Sequence, residues 1–194
     1  MSLLRRFPLL LFQPDYATSD LYDSPPLLDA FIVVALYAVI SSVKSFIGVV
    51  VTTDNVRYAI FIFLASCALV FFTWIFLTLF FHFIADFLGG TGELHNAVAF
   101  VGLAAAPNVV VSVISLIIGV ANIVLFPEEP DPLLSMANLG TSILGMMWGW
   151  PGMLCYFGLK NAERVGSLKA LLIVVPVFFV FAMLEISSSS LLKP

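Results

Sequence analysis

Five long apolar runs, separated by short polar breaks, set the plan of this chain. A helix crossing a hydrocarbon core of about 30 Å needs about 20 mostly apolar residues. The first run, about Leu28 to Val51, opens after Pro25-Pro26 and closes at Thr52-Thr53-Asp54-Asn55. The second, Tyr58 to Phe87, is the most apolar and rich in Phe; it exceeds what a bilayer requires, which predicts tilt or projection. The third, Asn96 to Phe126, carries Pro107-Asn108 near its first third. A proline there removes a helical hydrogen bond and predicts a kink. Pro127-Glu128-Glu129-Pro130-Asp131-Pro132 follows, a loop no helix crosses. The fourth run, Met136 to Leu159, is glycine-rich and broken at Trp148-Gly149-Trp150-Pro151-Gly152. The fifth, Ser167 to Ile186, carries Pro176, ends in Ser187 to Ser190 and is marginal in apolar length. The pattern predicts an all-α, polytopic transmembrane bundle of five spans over residues 27–190, preceded by a tail over residues 1–26.

Composition agrees with that solvent. Of 194 residues, 61% are hydrophobic and 10% charged, against roughly 25% charged in soluble domains. The net charge of −4 and eight scattered Lys and Arg form no basic stripe, which argues against a nucleic-acid partner. Cys67 and Cys155 both lie in apolar runs and read neither as a disulfide nor as metal ligands. The apolar stretch Phe7 to Phe12 is short, broken by Pro8 and lacks a small-residue cleavage site, unlike the apolar core of about 7–15 residues in a signal peptide. The tail is therefore expected to be retained, its SLLRRFPLLLF portion lying along the membrane surface with Arg5 and Arg6 at the headgroups.

Lys and Arg counts in short loops orient such a protein. With the N-terminus inside, the cytoplasmic side holds Arg5, Arg6, Lys160, Arg164 and Lys169, and the other side holds Arg57, Lys193 and an outward-snorkelling Lys44. The acidic loop of Glu128, Glu129 and Asp131 suits the outside, so the expected topology is N-inside, C-outside.

Candidate chemistry gathers around one turn. His82, Asp86, Glu93 and His95 flank Gly89-Gly90-Thr91-Gly92. Two imidazoles and two carboxylates have the donor chemistry for a divalent ion, but the spacing matches no established zinc signature, and an interfacial cap is the favoured reading. The glycine loop lacks the Lys-Ser/Thr of a phosphate-binding loop. No nucleophile–base arrangement is readable, so neither an enzyme activity nor a cofactor is expected. Asp29, Lys44 and Glu185 lie within or beside spans, where charge is costly. Asn108 and Asn122 read as interhelical hydrogen-bonding groups, and Gly102, Pro107, Gly145 and Gly149 as packing positions, with Pro107 against Gly145 and Gly149. Asp86 or Glu93 is expected to pair with Lys160 or Arg164, making a docking face with Arg5, Arg6 and Lys169 beside it.

Ala85-Asp86-Phe87-Leu88-Gly89-Gly90-Thr91-Gly92, then Phe100 to Pro107 (FVGLAAAP), then Leu154 to Lys160 (LCYFGLK), then Ser167, Lys169 and Ala170 occur in an order that resembles the Yip1-domain family of five-span membrane proteins. The likeness covers about residues 20–190. Eukaryotic members act in vesicle traffic and bind prenylated small GTPases through a longer cytosolic N-terminal region. Only about 26 residues precede the first span here, which argues against GTPase binding and looks more like a prokaryotic member. The resemblance implies a non-enzymatic protein that organises membrane or recruits partner proteins or lipids in a cell membrane, alone or as a homo-oligomer. The alternative is a small transporter or channel subunit with a path lined by the third and fourth spans.

Overall fold

The computed structural model describes residues 2–125 and 149–191, and among them every element is a helix. The order is α1 (Leu3–Phe12), α2 (Pro14–Thr18), α3 (Leu27–Thr53), α4 (Val56–Phe87), α5 (Leu94–Leu103), α6 (Ala106–Leu125), α7 (Gly149–Asn161) and α8 (Ser167–Leu191). Among the described residues three stretches are long and apolar enough to cross a membrane: Leu27–Thr53, Val56–Phe87 and Leu94–Ala121. Ser167–Phe179 is a shorter apolar helical stretch. Residues 136–148 of the expected fourth span, including Gly145, lie outside the described residues, as do Glu128, Glu129, Asp131 and Lys193.

Local chemistry explains where the helices stop. Between α3 and α4 the chain reverses through Asp54, in the left-handed region at φ 49, and the Asn55 side chain accepts from the Tyr58 amide at 3.1 Å. That satisfies one of the orphan donors of a helix N-terminus. The end of α4 is closed by paired backbone bonds, Gly90 N to Ala85 O at 2.8 Å and Gly89 N to Asp86 O at 2.9 Å. Gly89, at φ 85, supplies the left-handed residue which this reciprocal C-cap needs.

The break in the third run falls at Ala104-Ala105, between α5 and α6, just before Pro107. Pro107 thus sits in the first turn of α6, where its missing N–H costs nothing. The expected disruption near Pro107 takes the form of this interruption of the helix; contact of Pro107 with Gly145 lies outside the described residues. Gly149, Trp150, Pro151 and Gly152, read from the sequence as part of a break, are helical in α7.

The core is not spread evenly along the bundle. Phe81 and Ala85 of α4, Ala97, Ala99, Phe100, Val101 and Leu103 of α5, Ala30 and Val33 of α3, and Leu154 and Leu159 of α7 are buried together. Leu10 and Leu21 of the N-terminal segment join them with no exposed surface. Along the middle of α4, by contrast, Phe61, Leu64, Leu69, Phe72 and Phe76 are exposed, and none of the most apolar window is buried. At 1.5 Å per residue α4 is about 48 Å long, longer than a hydrocarbon core. Those side chains suit a lipid solvent.

Candidate functional site

The loop after α4 and the loop between α7 and α8 form one structure, and the glycines explain how. A Cβ on Gly92 would overlap the Glu163 carboxylate and come within 2.8 Å of Glu163 Cα. A Cβ on Gly90 would stand 3.0 Å from Glu163 O. With hydrogens there instead, Thr91 N donates to Glu163 O at 3.0 Å, and Asn96 Nδ2 donates to Ala162 O at 3.2 Å. The same close approach recurs one layer deeper, where a Cβ on Gly158 would lie 2.5 Å from the Phe100 ring. Small residues here set the distance between helices.

Glu163 is the centre of this junction. Its side chain is 1% exposed, and Oε1 lies 3.3 Å from His82 Nδ1, which donates when it carries the proton. Burial pushes the Glu163 carboxyl up from its ordinary range; His82 opposes that shift and Asp86 adds to it. Lys169 Nζ closes the far side by donating to Leu88 O at 2.8 Å, satisfying a carbonyl at the end of α4.

The N-terminal segment folds over both loops. Arg6 is 1% exposed and holds Asp20 through two bonds, Nη1 to Oδ1 at 2.7 Å and Nη2 to Oδ2 at 2.8 Å. Its Nη1 also donates to Ala17 O at 2.8 Å, and Asp29 Oδ2 stands 3.9 Å from Nε. Such forked carboxylate pairing fixes direction as well as charge. Arg6 was expected at the headgroups beside Arg5; only Arg5 is exposed. The difference is that Asp20 and Asp29 give Arg6 internal partners.

Asp15 reaches α7, accepting from Lys160 Nζ at 3.2 Å and Asn161 Nδ2 at 3.0 Å. The Asn161 hydrogen bond holds its carboxyl below the usual range, burial opposes this weakly, and Lys160 reinforces it. Arg164, at φ 53, lays its guanidinium 3.5 Å over the Tyr22 ring, while Tyr22 Oη donates to Thr91 O at 3.5 Å.

These contacts correct the expected ion pairs. Lys160 pairs with Asp15, Arg164 lies 3.9 Å from Asp23, and Glu93 lies 3.1 Å from His95. The loops do meet, but through Glu163 and backbone bonds, because the tail carboxylates take the cations assigned to Asp86 and Glu93. Of the four candidate metal ligands, His82 goes to Glu163 and His95 to Glu93, and Asp86 is exposed. No three His, Cys, Asp or Glu converge as metal ligands among the described residues. Gly102 packs as expected of a small position, its missing Cβ 2.8 Å from Ala30 Cβ. Sequence reasoning missed Glu163, Asp15, Asp20 and Asn161; the one available signal was their placement beside the basic residues Lys160 and Arg164 or in the tail.

Two cavities lie farther along the bundle. One, of about 270 Å³, is apolar and lined by Trp74, Leu77, Cys155 and Phe178 among others. The other, of about 380 Å³, lies between α3 and α6 and is the more polar of the two, with Lys44 and four serines in its lining. They share Tyr37 and Asn108, where the polar lining gives way to apolar residues. That transition does not favour a polar path through the third and fourth runs.

No curated protein and no solved structure matches the chain. The family model for the Yip1 domain matches residues 9–186, a span that takes in half of the N-terminal segment, both loops and the proline-marked third run. With three membrane-length apolar helices and this match over nearly its whole length, the chain is a multi-pass membrane protein belonging to the Yip1 domain family.

Proposed function

We propose that the protein is a non-enzymatic, five-span membrane protein of the Yip1 type, with its N-terminus cytoplasmic and its C-terminus opposite. It organises membrane or recruits partner proteins or lipids at the face formed by the tail and the two loops. The supporting observation is that this end carries the ordered polar network, with Arg5, Asp86, Glu93, Arg164 and Lys169 exposed around it. The tail is committed to that network through Arg6 and Asp15, which favours recruitment by the assembled face over GTPase capture by a free tail. The bilayer is the first partner, and a membrane protein or a second copy the next.

Orientation and docking are tested together. In a Cys67→Ala/Cys155→Ala background, cysteines at Ser2 and Ser190 should label from opposite sides of sealed vesicles. In mild detergent, Arg5→Glu should lose the co-purifying protein or lipid while keeping the wild-type melting temperature. Same-side labelling removes the odd number of spans; an unchanged set of co-purifying molecules removes the docking face.

A further inference from the structure

We propose that the polar cleft between α3 and α6, away from the loop face, binds the phosphate of an anionic membrane lipid. The cleft encloses about 380 Å³, within the range of about 300–1,000 Å³ typical of small-molecule sites. It is lined by Ser41, Lys44 and Ser45 of α3 and by Asn108, Ser112 and Ser115 of α6, and no Asp or Glu is among its lining residues. Lys44 is half-buried and has no ion-pair or hydrogen-bond partner among the described residues. It lies nine residues before the end of α3 at Thr53, about 13 Å along the axis at 1.5 Å per residue. A charge at that depth in a span faces a cavity and calls for a partner.

The surrounding donors choose the sign of that partner. Ser41 and Ser45 give their hydroxyl protons to carbonyls of their own helix, at 3.2 and 3.4 Å. Asn108, Ser112 and Ser115 have no hydrogen-bond partner among the described residues, so two hydroxyls and a carboxamide remain able to donate. A cation with uncommitted donors and no carboxylate suits an anion with several acceptor oxygens, and repels a metal ion. Phosphate is the membrane anion with that chemistry.

The neighbouring surface decides between a lipid and a free ion. The cleft lies between two membrane-length apolar stretches, Leu27–Thr53 and Leu94–Ala121. An amphiphile places its headgroup phosphate on Lys44 while its chains stay in the hydrocarbon around those helices, whereas a free ion would have to leave water to reach that depth. Electrostatic attraction and apolar contact then act on one molecule.

Native mass spectrometry of the full chain in mild detergent tests this. Wild type should retain phosphatidylglycerol over phosphatidylcholine by about tenfold or more, and Lys44→Met should remove that preference. Ser112→Ala/Ser115→Ala should weaken binding several-fold, and Arg57→Gln, an exposed cation at the start of α4, should leave it unchanged. Equal retention of the two lipids by wild type, or an undiminished preference in Lys44→Met, overturns the proposal. Displacement of phosphatidylglycerol by millimolar inorganic phosphate overturns the lipid as the source of the anion. Should Lys44→Met fail to fold, the wild-type preference and the phosphate competition still decide the matter.

Discussion

Arg6 and Lys44 are both cations inside an apolar protein, and their surroundings divide the molecule into two halves. At the loop end, Arg6 is bonded to Asp20 and Ala17, and Glu163 faces His82. The buried charges there have protein partners, although Arg6 Nε and Asn96 Oδ1 are buried without a hydrogen bond. Toward the other end, Lys44 stands among serines without a counter-charge among the described residues, and the large residues of α4 face outward. One half is solvated by its own side chains, and the other is built to be completed by lipid. Burial of an ion without compensation is too costly to persist by accident, so the contrast marks where the molecule is self-sufficient and where it is not.

Breaking the contrast is easiest at the core of the loop end. Phe100 is 1% exposed and packs 6.1 Å, centroid to centroid, from Phe81. Phe100→Ala should cost about 3–5 kcal/mol, whereas Phe72→Ala, on the outward face of α4, should stay within about 0.5 kcal/mol. Thermal unfolding in one detergent compares them, and equal losses would dissolve the distinction between the halves. Adjacent arginines sharpen it next. Arg6→Ala leaves Asp20 and Asp29 without their cation and should cost about 3 kcal/mol, the low end for a one-sided break because Asp20 is partly open to solvent. Arg5→Ala should be nearly silent in the same assay.

The smallest effect concerns pH. The Glu163 carboxyl titrates above its ordinary value of 4.5 because it is buried. The protonated form therefore stabilises the fold below that value, and the contribution is lost as pH rises through the raised one. Asp15 has the opposite sign: its hydrogen bonds stabilise the fold above the ordinary value of 3.8 and are lost on acidification. Glu163→Gln should flatten the decline in melting temperature toward neutral pH, with His82 and Asp86 left in place. An unchanged slope would mean that Glu163 is not buried as described.

Much of the helical plan was legible because a bilayer leaves a coarse signal. Runs of apolar residues, Gly89 after α4 and Pro107 in the first turn of α6 each mark an element through a local rule that needs no tertiary context. The loop end was only half legible. His82, Asp86 and Glu93 drew attention because they are ionisable in an apolar chain, but their partners depended on where the tail lies. Residues 2–12 read as a surface-lying segment, and the structure instead folds residues 3–18 into α1 and α2, with Leu10 and Ala17 fully buried. That return path, fixed by contacts between residues more than a hundred positions apart such as Asp15 and Asn161, leaves no periodic trace in the sequence. Lys44 was visible as a costly residue, but its serine surroundings on α6 required the packing of two helices.

The central claim is that the N-terminal segment is part of the domain, clasped to the loop between α7 and α8 on one face. Disulfide trapping of Asp15→Cys with Asn161→Cys in intact membranes tests it directly, since those side chains touch at 3.0 Å. In a Cys67→Ala/Cys155→Ala background, mild oxidation should give a rapid intramolecular crosslink in most molecules, with little or none when Asp15→Cys is paired instead with a cysteine at Arg57. Failure of the 15–161 pair to crosslink, with both thiols reactive toward a soluble maleimide, would contradict the clasp.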